Sequence, residues 1–254
     1  GLKPSKIIIA DTVWQLSPAQ ITLDGKHLAV EGFSFRNGEQ QIALDGALSP
    51  DENETITLDL RNIDLGHLEH YLKTPLGMKG MINGNLSVAD FYRTRRLDSD
   101  LRLEGFAFRD QDIGTITLES AWDRHTGRIN SGMKIIKNNR EQMVATGYYA
   151  PEENDIDVTF DFDDQSLIVL NTVIREALTN FHGDGSGRIR VHGKPQKLLL
   201  DGAVMCRNAG LTIDFTQVSY VLNDSVRFAG DRIIFRNMEV KDLLGNRGTF
   251  NGRR

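Results

Sequence analysis

The sequence predicts an all-β protein with two short helices, built as an elongated, curled antiparallel sheet that forms an open hydrophobic trough. Three observations lead there. First, the chain repeats itself at a spacing of about one hundred residues, the mark of a repeat architecture. Gly46 and Pro50 recur as Gly147 and Pro151, offset by 101; Ile56, Leu58 and Leu60 recur as Val158, Phe160 and Phe162, offset by 102. Leu65 and Leu68 recur as Leu167 and Leu170, also offset by 102, and Gly84, Leu86 and Val88 recur as Gly187, Ile189 and Val191, offset by 103. A third copy begins at Thr249-Phe250-Asn251-Gly252. Second, apolar residues alternate with polar ones at period two, which makes sheets with one apolar and one solvated face. Third, no βαβ alternation is present, which argues against a doubly wound α/β fold.

Taken in order, Ile7-Ile8-Ile9 is a strand, Pro18 breaks the chain, and Ile21–Leu23 leads into an Asp24-Gly25 hairpin turn. Leu28–Val30 and Phe33–Phe35 follow, then an Asn37-Gly38 turn and strands through Ile42, Leu44, Ile56, Leu58 and Leu60. Asp64 is placed to cap a short helix in which Leu65, Leu68 and Leu72 share one side, and Pro75 and Gly77 end it. Strands resume from Ile82 through Leu86 and Val88, and continue to Tyr149, with turns at Gly127 and Asn138-Asn139. A second helix is expected over 166–181, where Leu167, Leu170, Ile174, Leu178 and Phe181 form an apolar stripe. Gly183, Gly185 and Gly187 then read as a helix-to-strand turn, and strands run from Arg188 to Val240. The total is roughly sixteen to twenty strands in one continuous region, 1–254, with repeat units at about 1–62, 63–164 and 165–254.

One helix per hundred residues cannot cover such a sheet. The alternating apolar residues must face one another across a curled sheet or face something else. The glycines at every second position remove side chains from one face and allow tight curvature or close approach. Both terminal strands are expected to be open edges.

The composition narrows the function. A net charge of −5 gives no electrostatic case for nucleic acid or an anionic membrane surface. Cys206, the single cysteine, cannot make an internal disulfide and reads as a buried structural thiol. No apolar run reaches the length of a membrane span and no signal peptide is present, so an exported protein would carry its targeting segment elsewhere. No catalytic residue, metal site or cofactor is expected. His67 and His70 lack further ligands at metal spacing. Gly183–Gly187 lacks the lysine of a phosphate loop, and Asp161, Asp163 and Asp164 lack the glycine and glutamate of a calcium loop. Trp14, Trp122, Phe160, Phe162, Phe215, Phe228 and Phe235 are aromatics that either pack in the core or line the trough. The candidate residues lining the trough are Leu58, Leu60, Leu86, Val88, Ile156, Val158, Phe160, Phe162, Leu167, Ile189, Val191, Ile213 and Phe215.

The segment Asp11-Thr12-Val13-Trp14-Gln15-Leu16-Ser17-Pro18-Ala19-Gln20-Ile21 resembles a strand pair of TamB-like proteins of the Bacteroidetes type. Ile42–Gly46, Leu58–Leu72, Gly80–Gly84, Ile113-Gly114 and Ser120-Ala121-Trp122-Asp123 follow that family's further elements in order. Tyr220 through Asp242-Leu243-Leu244-Gly245-Asn246 to Gly252 is similar to its ending. The resemblance runs over essentially the whole chain. It implies an internal fragment of a periplasmic protein held by one inner-membrane helix, related to the AsmA-like bridge proteins. It further implies phospholipid transport between inner and outer membranes along a hydrophobic groove. Alternatively, it implies a scaffold for outer-membrane protein insertion with a β-barrel partner of the Omp85 type. An all-β carbohydrate-active enzyme is a third class, but no carboxylate pair stands out for it.

Overall fold

The chain is all-β and antiparallel. A computed structural model describes residues 1–9, 12–69, 77–108, 111–167, 178–213, 218–242 and 245–253. Among them are eighteen strands and one five-residue helix. Among the described residues the pairing does not close on itself into a barrel. The chain divides into two compact units, one of Gly1–Asn138 with Tyr148–Asn154, the other of Asn139–Gly147 with Asp155–Arg254.

The first unit holds β1 (Ser5–Ile9), β2 (Thr12–Leu16), β3 (Gln20–Asp24), β4 (His27–Asn37), β5 (Gln40–Leu48), β6 (Thr55–Asp64), β7 (Met78–Ala89), β8 (Arg96–Phe108), β9 (Gln111–Asp123) and β10 (Arg128–Lys137). β1 pairs with β2, β2 and β3 both pair with β4, and from β4 to β10 each strand pairs with the next. The Asp24-Gly25 and Asn37-Gly38 turns form where expected, with Gly25 and Gly38 at φ 56° and 55°. The helix α1 (Leu65–Glu69) begins at Asp64, whose Oδ1 accepts the N–H of Gly66 at 2.8 Å. The expected partners Leu72 and Pro75 lie outside the described residues.

The second unit holds β12 (Asp155–Ser166), β13 (Leu178–Lys194), β14 (Lys197–Ile213), β15 (Val218–Leu222), β16 (Ser225–Gly230), β17 (Arg232–Asp242) and β18 (Arg247–Arg253). β11 (Arg140–Ala150) is shared, contributing its residues up to Gly147 to this unit. The 17-residue β14 pairs with β13 on one side; on the other it pairs with β16 over Leu200–Met205 and with β15 over Ala209–Ile213.

The helix expected over 166–181 does not form at its ends. Ser166 closes β12 and Leu178–Phe181 open β13, where Leu178 pairs with Ile213 and Thr179 with Thr212. Residues 168–177, including Leu170 and Ile174, lie outside the described residues. Nor is Gly183–Gly187 a helix-to-strand turn: it lies inside β13.

The repeat is physical as well as textual. A Cβ added to Gly46 would lie 2.1 Å from the Thr55 carbonyl oxygen, and one on Gly147 would lie 2.1 Å from that of Asp157. On Gly84 it would meet the Asp100 carbonyl oxygen at 2.0 Å, and on Gly187 that of Ala203 at 2.2 Å. At these four places the next strand's backbone occupies the space a side chain would need. Registers repeat too: Leu58 faces Leu86 as Phe160 faces Ile189, and Ile56 faces Val88 as Val158 faces Val191. The third copy starts earlier than the glycine pattern shows. Leu16 pairs with Phe35 and Leu23 with Leu28; correspondingly, Leu222 pairs with Val240 and Phe228 with Ile233. Thus β15–β18 repeat β2–β5.

A bulge recurs with the repeat. The ladder shifts between Leu60 and Ile63, between Phe162 and Gln165, between Val30 and Phe33, and between Phe235 and Met238. Each shift contains a residue with left-handed backbone: Asn62 (φ 49°), Asp164 (φ 54°), Gly32 (φ 68°) and Asn237 (φ 50°). Asn, Asp and Gly are the residues that tolerate this conformation. In three of the bulges the freed N–H finds a side chain across the ladder. Gly32 donates to Asp45 Oδ2 at 2.8 Å, Asn62 to Asn83 Oδ1 at 2.8 Å and Asp164 to Ser186 Oγ at 2.9 Å. Each acceptor immediately precedes a repeat glycine, Gly46, Gly84 or Gly187. Asn83→Ala is expected to cost about 1–2 kcal/mol by stranding the half-buried Asn62 N–H. Denaturant unfolding checks it; an unchanged midpoint would mean water replaces the acceptor freely.

Candidate functional site

The registers place the apolar residues of the first unit in rows across the strands. One row runs Phe35, Ile42, Leu60, Gly84, Leu101, Leu118, Met133. A neighbouring row runs Phe33, Leu44, Leu58, Leu86 and then Ser99, Ser120, Ser131. A third joins Ile63, Ile82, Leu103, Ile116 and Ile135, and a fourth joins Val30, Gly46, Ile56, Val88 and Leu97. Direct partners and residues two apart point to the same side of a sheet, so the four rows make one face. Within it only Val30, Ile63, Ile135 and Ser99 are buried; the rest, including Leu58, Leu60, Leu86 and Val88, are half-buried. The opposite side carries Asp45, Asp59, Asn85, Asp100 and Arg102.

In the second unit, Ile156, Val158, Phe160 and Phe162 share one face of β12, and Ile189 and Val191 share that face on β13. Here the side chains close on one another. Leu167 and Ile189, each 8 % exposed, belong to a buried cluster with Val204, Cys206, Ala209, Leu222, Met238 and Val240. Phe162, Val191, Leu200, Tyr220, Val226 and Phe228 pack against it. Gly185 explains how Leu167 gets in: a Cβ there would lie 2.9 Å from Leu167 Cδ2 and 3.0 Å from Val204 Cγ1. Ile156, Val158 and Phe160 are half-buried. Ile213 ends β14, and Phe215 lies outside the described residues. No family model, no curated protein and no solved structure matches this chain.

The solvated face of the second unit is held by arginine–aspartate pairs. Arg188 donates through Nε and Nη2 to Asp161 at 2.6 and 3.0 Å, and Arg190 to Asp157 at 2.8 and 2.6 Å. Arg140 reaches Asp163 at 3.6 Å and Arg207 reaches Asp164 at 2.5 Å. The aspartates at 161, 163 and 164 therefore all face arginines. Asp201 accepts the Gly230 N–H at 2.9 Å and lies 2.7 Å from His192 Nε2; these two contacts hold its carboxyl below the usual range. Among the described residues no group of three or more His, Cys, Asp and Glu is arranged to hold a metal. His67 lies 4.0 Å from Asp64, and His70 is outside the described residues. Among the described residues no helix is long and apolar enough to cross a membrane.

Cys206 is buried, as its apolar neighbours in sequence suggest. Burial, with a smaller contribution from the Asp224 charge, pushes its thiol up to about 11. Of the aromatics, Trp14 is buried and stacks on Phe35, ring centroids 4.8 Å apart. The half-buried residues Ile42, Leu44, Leu101 and Leu118 belong to the face as fully as the lining residues named from the sequence. Their period-two spacing was the available signal; the register that aligns them was not.

Proposed function

We propose that this chain is a lipid-handling segment of the TamB-like type, carrying phospholipid acyl chains along an apolar sheet face between the inner and outer membranes. The observation that carries the reading is the four-row face of the first unit. It is apolar across seven strands, backed by a charged face, and half-buried over most of its length. Exposing a lipid tail to water costs about 0.8 kcal/mol per methylene, and contact with a half-buried apolar face offsets part of that at each position. Binding spread evenly over many leucines and isoleucines holds a tail without trapping it. Movement of this kind requires no catalytic residue and no cofactor. The ordered motifs that resemble the TamB-like family support the same reading, with a periplasmic setting and an inner-membrane anchor in the full-length protein.

A second reading has its own support in the exposed apolar residues of β1 and β3. Ile8 is 72 % exposed and Leu23 75 %. Exposed apolar strands suit strand addition, and so a scaffold that pairs with nascent outer-membrane strands beside an Omp85-type barrel. In-cell photo-cross-linking separates the two. Probes at Leu58 and Leu86, with Asp59 and Asp100 as controls on the charged face of the same unit, are expected to give lipid adducts from the first set alone. Equal labelling of both sets, or no lipid anywhere, would sink the lipid reading. Protein adducts from Ile8 and Leu23 to barrel substrates would then support the scaffold.

A further inference from the structure

We infer that Ser99, Ser120 and Ser131 form a hydrogen-bonding subsite for the ester carbonyls of a glycerolipid lying on the apolar face of the first unit. The inference rests on the lipid reading above and names the part of the lipid that this position recognises.

The three residues are far apart in sequence and become neighbours only through the ladder. Ser99 on β8 pairs with Ser120 on β9, which pairs with Ser131 on β10. On its other side Ser99 pairs with Leu86, which continues the row to Leu58 and Leu44. A single row thus changes from leucine to serine halfway across the unit, while the row beside it stays apolar through Leu101, Leu118 and Met133. The result is a short polar band set into an apolar face. The corresponding row of the second unit runs Phe160, Ile189, Gly202, Phe228, Ile233 and carries no hydroxyl. The serines are therefore not a requirement of the repeat.

The hydroxyls are unequally satisfied. Ser120 Oγ and Ser131 Oγ lie 2.9 Å apart and share one hydrogen bond. Ser99 is 7 % exposed, and its Oγ has no hydrogen-bond partner among the described residues. A buried hydroxyl without a partner costs stability. Alanine there would leave no buried hydroxyl to satisfy. Such a group at the floor of an apolar face is a donor waiting for an acceptor that arrives with an otherwise apolar molecule. An ester carbonyl is an acceptor attached directly to an acyl chain. Its tail would extend along the leucine half of the row and its carbonyl would come to rest over the serine half. The half-buried side chains around Ser99 are what the lipid would displace. A bare hydrocarbon would leave the hydroxyl unpaired.

The test compares a short-chain diacyl phosphatidylcholine with its dialkyl-ether analogue of equal chain length and the same headgroup. Each is titrated as monomer into the full chain, as wild type and as the S99A/S120A/S131A variant. The diester is expected to bind the wild type roughly fivefold or more tightly than the diether. The variant is expected to bind both alike, at the diether's affinity. Equal affinities in the wild type would overturn the inference while leaving the lipid reading standing. A diester preference that survives in the variant would also overturn it, because the carbonyls would be recognised elsewhere. Binding of neither lipid would overturn the lipid reading and this subsite with it. The thermal midpoint of Ser99→Ala without lipid is a second check. It should be unchanged or higher, since a structural hydroxyl would lower it when removed.

Discussion

Replacing Gly84 with valine is expected to remove at least about 3 kcal/mol of stability from the first unit. Gly84 sits in β7 at φ 129°, backbone that side chains rarely adopt. Its missing Cβ leaves room for the Asp100 carbonyl oxygen, which would lie 2.0 Å from that carbon, with Leu101 Cα at 2.9 Å. Both are backbone atoms of the paired strand β8, so no flexible side chain can swing aside. The β7–β8 ladder would have to part around the residue that anchors its middle. Gly132→Ala is the control. Gly132 has nothing within 4 Å of an added Cβ, and the change should alter stability by less than about 1 kcal/mol. Tryptophan fluorescence during urea unfolding reads the result directly, because Trp14 and Trp122 both belong to the first unit. If both variants unfold at the wild-type midpoint, the strands have slack that these distances deny.

Glycines such as Gly84 explain why the repeat was legible in the sequence. A position where a neighbouring backbone fills the Cβ site admits only glycine, so Gly46, Gly84, Gly147 and Gly187 stand out whatever surrounds them. Period-two alternation placed the strands for a similar reason, since a half-covered face separates apolar from polar residues along every strand. What failed was the C-terminal end of the helix expected over 166–181. Its spacing fits a helix, yet Leu178 and Thr179 pair with the far end of β14, a strand long enough to carry the ladder that far. A pattern read along one segment carries no information about the length of the strand beside it. The bulges had a readable signal: an Asn, Asp or Gly inside an apolar strand, answered across the ladder by a polar residue just before a repeat glycine. The serine row had none. Ser99, Ser120 and Ser131 meet only when two hairpins fix the register, and each alone is an ordinary strand serine.

The two units should answer differently to the same insult on equivalent residues. Leu86 and Ile189 correspond in the repeat and occupy equivalent registers, facing Leu58 and Phe160 respectively. Ile189→Asp is expected to cost roughly 4 kcal/mol or more, because it puts a carboxylate with no partner into the cluster around Val204, Leu222 and Met238. Cys206 belongs to that cluster and reports on it without an added label. At 6 % exposure, with its thiol pushed up to about 11, it should alkylate slowly in the wild type at neutral pH and rapidly in Ile189→Asp. Leu86→Asp should leave the Cys206 rate unchanged and cost far less, since a half-buried carboxylate can still reach water. Its larger effect should fall on lipid binding, because it places a charge where the row passes from Leu58 to Ser99. If Leu86→Asp unfolds the first unit as fully as Ile189→Asp unfolds the second, the first unit's face is packed core and leaves no room for an acyl chain. If Leu86→Asp stays folded and loses lipid, the same repeat has been used twice: closed around its own side chains in one unit and left open for a ligand in the other.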